Sequence, residues 1–292
     1  MFEGVHTALV TPFKNGIVDE GAFGKLINGQ FEAGIKGIVP VGTTGESPTL
    51  SPNEHVRVVE LAVQSADGRG PVIAGTGANS TREAIELTLG AEKAGATASL
   101  QVAPYYNKPS QEGLFRHFKA IADATSLQIV LYSIPGRCGI EIGVDTVARL
   151  AAECPNVVAI KEAGGTPERV SQLAAALPDS FEILSGDDSL TLPFMSVGAG
   201  GVISVASNLI PAEMASMVGA VLDGDWPLAQ SIHRKFYPLF SGFLKLDTNP
   251  VPVKTALGIV GRIDPELRLP MTAMAEAKAA ELRQILEQLD LV

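Results

Sequence analysis

The chain has 292 residues, 46% of them hydrophobic and 18% charged, which excludes disorder and allows a large core. A formal net charge of −10 argues against a nucleic-acid or anionic-membrane surface. No apolar run reaches the roughly 18 residues of a membrane span, and Cys138 and Cys154 have no metal-ligand or redox spacing. The start, MFEGVHTALV, lacks the basic region of a secretory signal, so a cytoplasmic protein with reduced thiols is expected.

In chain order, strand-like runs rich in β-branched residues begin with GVHTALVTP from Gly4, GIVPVG from Gly37, PVIAGTG from Pro71 and ASLQVAP from Ala98. They continue with QIVLYSIP from Gln128, VVAIKEA from Val157, FEILSGDD from Phe181 and GVISVAS from Gly201. The spacing is about 30 residues, with helical patterns between. Ser51-Pro52-Asn53-Glu54 and Ser80-Thr81-Arg82-Glu83 read as capping boxes, and Thr166-Pro167-Glu168 as a third helix start. Gly34, Gly95 and Gly198 follow helical segments, where a left-handed C-cap suits glycine.

Eight such runs, apolar on both faces and alternating with helices, predict an α/β (β/α)₈ TIM barrel. A doubly wound sheet is the rival, but no GxGxxG turn follows the first strand. The barrel is expected over 1–225, with a C-terminal helical extension over 226–292 packed on it as one unit. A proline-rich break at Asn249-Pro250-Val251-Pro252 interrupts the extension.

In such a barrel the C-terminal strand ends carry the chemistry. Polar residues collect there: Thr43, Thr44 and Glu46 in GTTGES, Tyr105, Tyr106 and Asn107 in PYYNKP, and Tyr132 and Arg137 in YSIPGR. Lys161 and Glu162 end the sixth run, and SGDD the seventh. Each residue alone reads more readily as a turn, core or solvated position; their convergence on one face favours function.

Lys161 is either a snorkelling, salt-bridged lysine or an amine nucleophile. Desolvation and a nearby cation such as Arg137 would lower its pKa. The neutral amine could then form a Schiff base with a keto acid, with tyrosine as proton shuttle. Thr43 and Thr44 suit one carboxylate and the Arg137 fork another. Glu162, next along the strand, alternates to the other side and is read as a structural partner between strand and helix.

GTTGES, PYYNKP, YSIPGRCG, AIKEA and SGDD in this order, with TNPVPVK further on, resemble the dihydrodipicolinate synthase (4-hydroxy-tetrahydrodipicolinate synthase) family over essentially the whole chain. The resemblance implies a homo-oligomeric lyase that condenses pyruvate with L-aspartate-4-semialdehyde in the diaminopimelate branch of lysine biosynthesis. It implies no cofactor beyond a covalent pyruvate Schiff base on Lys161, and a dimer or a dimer of dimers. Lys161 matches the Schiff-base lysine, Tyr132 the proton-relaying tyrosine, and Thr43 and Tyr106 the rest of the relay, Tyr106 being donated to a neighbouring subunit. Thr44 matches a pyruvate-carboxylate contact, Arg137 the arginine that binds the aldehyde's carboxylate, and Gly186 and Ile203 residues whose backbone lines the site. Ser47, Pro48, His55, Asn79, Glu83 and Tyr105 match an allosteric site for the inhibitor L-lysine. Pro52, Ser133, Cys138 and Thr255 depart from frequent family residues without removing a catalytic group.

Three other readings stay open on the residues. An N-acetylneuraminate lyase or 2-keto-3-deoxy sugar-acid aldolase shares the lysine, the tyrosine and the pyruvate half. A metal-dependent barrel is disfavoured because His6, His55, His117 and His233 lack ligand spacing. A non-catalytic barrel that binds keto acids needs no activated lysine.

Overall fold

The computed structural model describes residues 2–292. Eight parallel strands form one sheet: β1 (Gly4–Ala8), β2 (Gly37–Val39), β3 (Ile73–Gly75), β4 (Ala98–Val102), β5 (Gln128–Ser133), β6 (Val157–Glu162), β7 (Glu182–Ser185) and β8 (Gly201–Ser204). Their order is β2-β1-β8-β7-β6-β5-β4-β3. The two end strands meet through a parallel bridge between Ile38 and Val72, and Ile38 N–H donates to Pro71 O at 3.0 Å. That contact closes the sheet into a barrel, so no strand edge is left open.

Helices α1 (Glu20–Glu32), α2 (Pro52–Ala66), α3 (Thr81–Lys93), α4 (Gln111–Ala124), α5 (Val144–Glu153), α6 (Pro167–Ala176), the short α7 (Thr191–Met195) and α8 (Pro211–Leu222) follow the strands in turn. Residues alternate along each strand between two apolar regions. Ala8, Val39, Ile73, Leu100, Val130, Tyr132, Ala159, Leu184 and Ile203 fill the barrel interior. Ile129, Leu131, Ile160 and Ile183 face the helices. Strands buried on both sides read as unbroken apolar runs, which is why the sequence pattern was visible.

The Ser51 capping box forms in full: Ser51 N–H donates to Glu54 Oε2 at 2.9 Å and Glu54 N–H to Ser51 Oγ at 3.3 Å. The expected second box does not. Ser80 Oγ accepts from Glu83 N–H at 3.5 Å, but the Glu83 side chain does not return to Ser80 and lines a cavity instead. Thr166 caps α6 as expected. Gly34 and Gly95 each have φ of 89°, the left-handed conformation their C-terminal positions require. A small antiparallel hairpin, Phe13–Lys14 with Ile17–Val18, was not legible because each arm is two residues long.

Beyond α8 come α9 (Trp226–Lys245), α10 (Val251–Ile259) and α11 (Glu276–Gln288). Leu239, Phe240, Val253, Leu257, Leu282 and Leu286 join the same apolar cluster as the barrel's outer residues, so barrel and extension share one core. Among the described residues no helix is long and apolar enough to cross a membrane, and no group of three or more His, Cys, Asp or Glu could hold a metal ion.

Candidate active site

Parallel register sets Tyr132 on β5 opposite Lys161 on β6. Lys161 is 5% exposed, and its Nζ lies 4.4 Å from the centre of the Tyr132 ring. Burial lowers the lysine to about 8; Asp188 and Asp187 pull it back up, and the Arg137 charge pushes it down. A measurable fraction is therefore neutral near pH 7. Glu162 points the other way. It is fully buried, accepts from Gly164 N–H at 2.6 Å and pairs with Arg169 of α6 at 3.4 Å. The alternation reading of this pair of residues holds.

Tyr132 is pushed up to about 12, chiefly by burial, against the Arg137 charge and a hydrogen bond with Thr43. It is a neutral hydroxyl at working pH, able to hand a proton on and take it back. Gly186 is required beside the lysine: a Cβ there would sit 2.7 Å from Ala163 Cβ and 3.1 Å from Lys161 Cε. Ile203 of β8 is fully buried in the interior cluster with Tyr132.

Thr43 and Thr44 follow β2 on a loop folded tightly on itself. Val41 has φ of 50°, rare for a β-branched residue and costing on the order of 1–3 kcal/mol. A side chain at Gly45 would sit 3.0 Å from the Val41 nitrogen, so the turn packs backbone on backbone. Glu46, also left-handed at φ 53°, anchors the loop through a fully buried ion pair with Lys254 of α10, at 2.6 Å. Lys254 also donates to Thr11 O at 3.0 Å. Burial lowers this lysine too, but unlike Lys161 it has a carboxylate partner that holds its proton.

A cavity of about 440 Å³ opens over Thr43, Tyr132 and Arg137. The same cavity is lined by Ser47, Pro48, His55, Glu83 and Tyr105, so five of the six expected allosteric residues share it. Asn79 stands behind them, donating to Tyr105 O at 3.2 Å. His55 gives Nε2 to Gly75 O at 2.9 Å, has no partner on Nδ1, and is kept neutral by burial, which lowers its pKa. Tyr106 is not brought to Tyr132 within the chain; it is 90% exposed with φ of 72°.

Sequence reading passed over several groups at this end of the barrel. Asp188 is buried and pushed up to about 6, mainly by desolvation. Its Oδ2 accepts from Val205 N–H at 3.1 Å and Ala206 N–H at 2.9 Å, while Oδ1 has no partner. Its only signal was its place in SGDD. Cys138 also lines the cavity and is pushed up to about 11, chiefly by burial, so it is an un-ionised thiol. Asn249 reaches Thr44 Oγ1 from the extension, at 3.0 Å.

A closed (β/α)₈ barrel with a buried, partly neutral amine beside a buried tyrosine at the C-terminal strand ends has the make-up of a barrel enzyme. The family model described as "Dihydrodipicolinate synthetase family" matches residues 1–289. A protein of Persephonella marina named 4-hydroxy-tetrahydrodipicolinate synthase is 50% identical over all of both chains. The solved 4-hydroxy-tetrahydrodipicolinate synthase of Methylacidiphilum fumariolicum SolV is 53% identical, with a TM-score of 0.98 over 99% of this chain and 96% of that one. The enzyme of Cyanidioschyzon merolae, solved with lysine bound, is 42% identical, with a TM-score of 0.96 over 100% of this chain and 99% of that one. The chain belongs to the dihydrodipicolinate synthetase family and is a lyase.

Proposed function

We propose that this site condenses pyruvate with L-aspartate-4-semialdehyde, the reaction of a 4-hydroxy-tetrahydrodipicolinate synthase, through a Schiff base on Lys161. The observation that carries the reading is the buried amine of Lys161 beside Tyr132 at the barrel end. The neutral amine attacks the keto carbon, and water leaves as Tyr132 passes a proton to the departing oxygen. The iminium draws electrons from the adjacent methyl, which loses a proton and becomes an enamine. The enamine carbon attacks the aldehyde, forming the carbon–carbon bond. The amine of the semialdehyde then adds to the imine carbon, closes the ring and releases Lys161. The electron sink is the iminium itself, so no cofactor enters the scheme.

Thr44, with the neighbouring backbone, takes the pyruvate carboxylate, and Arg137 at the mouth takes the carboxylate of the aldehyde. Tyr106, exposed on this chain, completes the relay with Thr43 and Tyr132 of a second copy. L-Lysine binds the outer part of the cavity between His55, Glu83 and Tyr105 and inhibits; the lysine-bound relative supports this part.

The test is reduction with borohydride in the presence of pyruvate, followed by peptide mapping. The adduct is expected on Lys161; its absence, or an adduct on Lys254 or Lys245 instead, overturns the assignment. Turnover of pyruvate with the semialdehyde should also far exceed cleavage of sialic or 2-keto-3-deoxy sugar acids. The reverse ranking would move the chain to the sugar-acid reading.

A further inference from the structure

Two residues proposed to hold different carboxylates meet a single residue of the C-terminal extension. Asn249 Nδ2 donates to Thr44 Oγ1 at 3.0 Å, and Asn249 O accepts from Arg137 Nη2 at 3.1 Å. Thr44 is buried, and Asn249 Oδ1 is buried with no partner, so among the described residues Thr44 is the one group the side-chain amide meets. A threonine hydroxyl has one proton to give and lone pairs to receive. With one lone pair facing the Asn249 amide, the O–H bond is directed away from that amide and is left to donate to a ligand. A carboxylate, which only accepts, is the ligand such a hydroxyl suits.

We infer that Asn249 is a positioning residue that occupies one acceptor site of the Thr44 hydroxyl and so aims its proton at the keto-acid carboxylate. Its backbone meanwhile steadies Arg137 at the mouth. The inference rests on the reading of Thr44 as the pyruvate-carboxylate contact. Glu46, two residues beyond Thr44, is gripped by Lys254 of the same extension, so both ends of this short segment are tied to one support.

Substituting Asn249→Asp keeps the shape and reverses the bond. The new carboxylate accepts from Thr44 and withdraws its proton from the substrate. The KM for pyruvate should rise about tenfold or more, the loss of one charge-assisted hydrogen bond. Asn249→Ala frees the hydroxyl to rotate and should raise the same KM only about threefold, a fraction of that bond. A role in packing alone would give the opposite order, because Asp fills the space and Ala does not. The thermal midpoint of each variant is measured alongside.

The Thr44→Val background completes the test. Thr44→Val alone should raise the pyruvate KM, and Asn249→Asp should then add less than about twofold, the non-additivity expected of coupled groups. An equal effect of Asn249→Asp in both backgrounds overturns the inference, since the aspartate would then act by charge without Thr44. An unchanged pyruvate KM in Asn249→Asp, with a raised one in Thr44→Val, overturns it while the Thr44 reading stands. An unchanged KM in Thr44→Val overturns both.

Discussion

Lys161 Nζ lies 4.4 Å from the centre of the Tyr132 ring, on neighbouring strands whose register sets the two residues side by side. Both groups are shifted toward their neutral forms by the same burial, the lysine down to about 8 and the tyrosine up to about 12. An amine that can attack and a hydroxyl that can donate thus coexist over the neutral range.

The lysine sets the pH dependence. Below about 8 its neutral fraction falls tenfold per pH unit, so kcat/KM should rise with that slope and level off above. Between about 8 and 10.5 the unfolded chain binds more protons at this residue than the folded one. Lys161 therefore makes stability rise with pH across that window. A pH–rate profile with no acid limb near 8 would contradict the first part.

Tyr132→Phe removes the hydroxyl and keeps the ring that packs in the interior cluster. A loss of about 10²–10⁴ in kcat is expected, the usual range for a general acid–base group. Steady-state kinetics and a melting curve on the same sample check it. Activity within a factor of about three of the parent would remove Tyr132 from the relay.

Asp188 raises the lysine's pKa by its charge. Asp188→Asn should therefore move the acid limb of the rate profile to lower pH, while an amide oxygen can still accept from Ala206 N–H. The native carboxyl, at about 6 against 3.8 unfolded, makes stability fall as pH rises from 3.8 to about 6. The variant should lose that slope in denaturant titrations at several pH values. An acid limb that stays in place would show that the carboxylate does not act on Lys161.

The Glu46–Lys254 pair is fully buried on both sides. Lys254→Met strands the carboxylate and should destabilise the fold by about 3–5 kcal/mol. The double change Glu46→Gln with Lys254→Met should recover much of that, since removing both charges removes the desolvation cost. Urea unfolding of the single and double variants measures the difference. Equal stability of the two would deny a buried-charge penalty here.

Glu83 lines the cavity near Tyr105, whose hydroxyl is pushed up by burial and by the Glu83 charge. Glu83→Ala should raise the lysine concentration for half-inhibition about tenfold, the loss of one charged hydrogen bond. Because Glu83 does not close its capping box, α3 should keep its stability. Unchanged inhibition would move the inhibitor elsewhere.

Eight strands, their intervening helices and the opposite faces of Lys161 and Glu162 were legible because each depends on residues a few positions apart. Strand alternation and caps such as Ser51 with Glu54 are local, and local backbone geometry enforces them. The failed box at Ser80 shows the limit: its pattern matches, but the Glu83 side chain goes to the cavity. The candidate site was legible as a set of strand ends. The downward shift of Lys161 was legible too, from burial and Arg137, but the opposing pull of Asp188 was not, because it depends on how a neighbouring strand end packs.

By itself, the sequence determined the repeating strand–helix order and the placing of a lysine at the C-terminal end of the sixth barrel strand. Tertiary structure alone decided that Asn249 would hold Thr44 from 205 positions away and that Lys254 would neutralise Glu46. It also decided that the expected lysine site and the Tyr132 end would open into one cavity. The reason is physical. Periodicity records which face of an element avoids water, while the identity of the partner across that face depends on how distant elements dock.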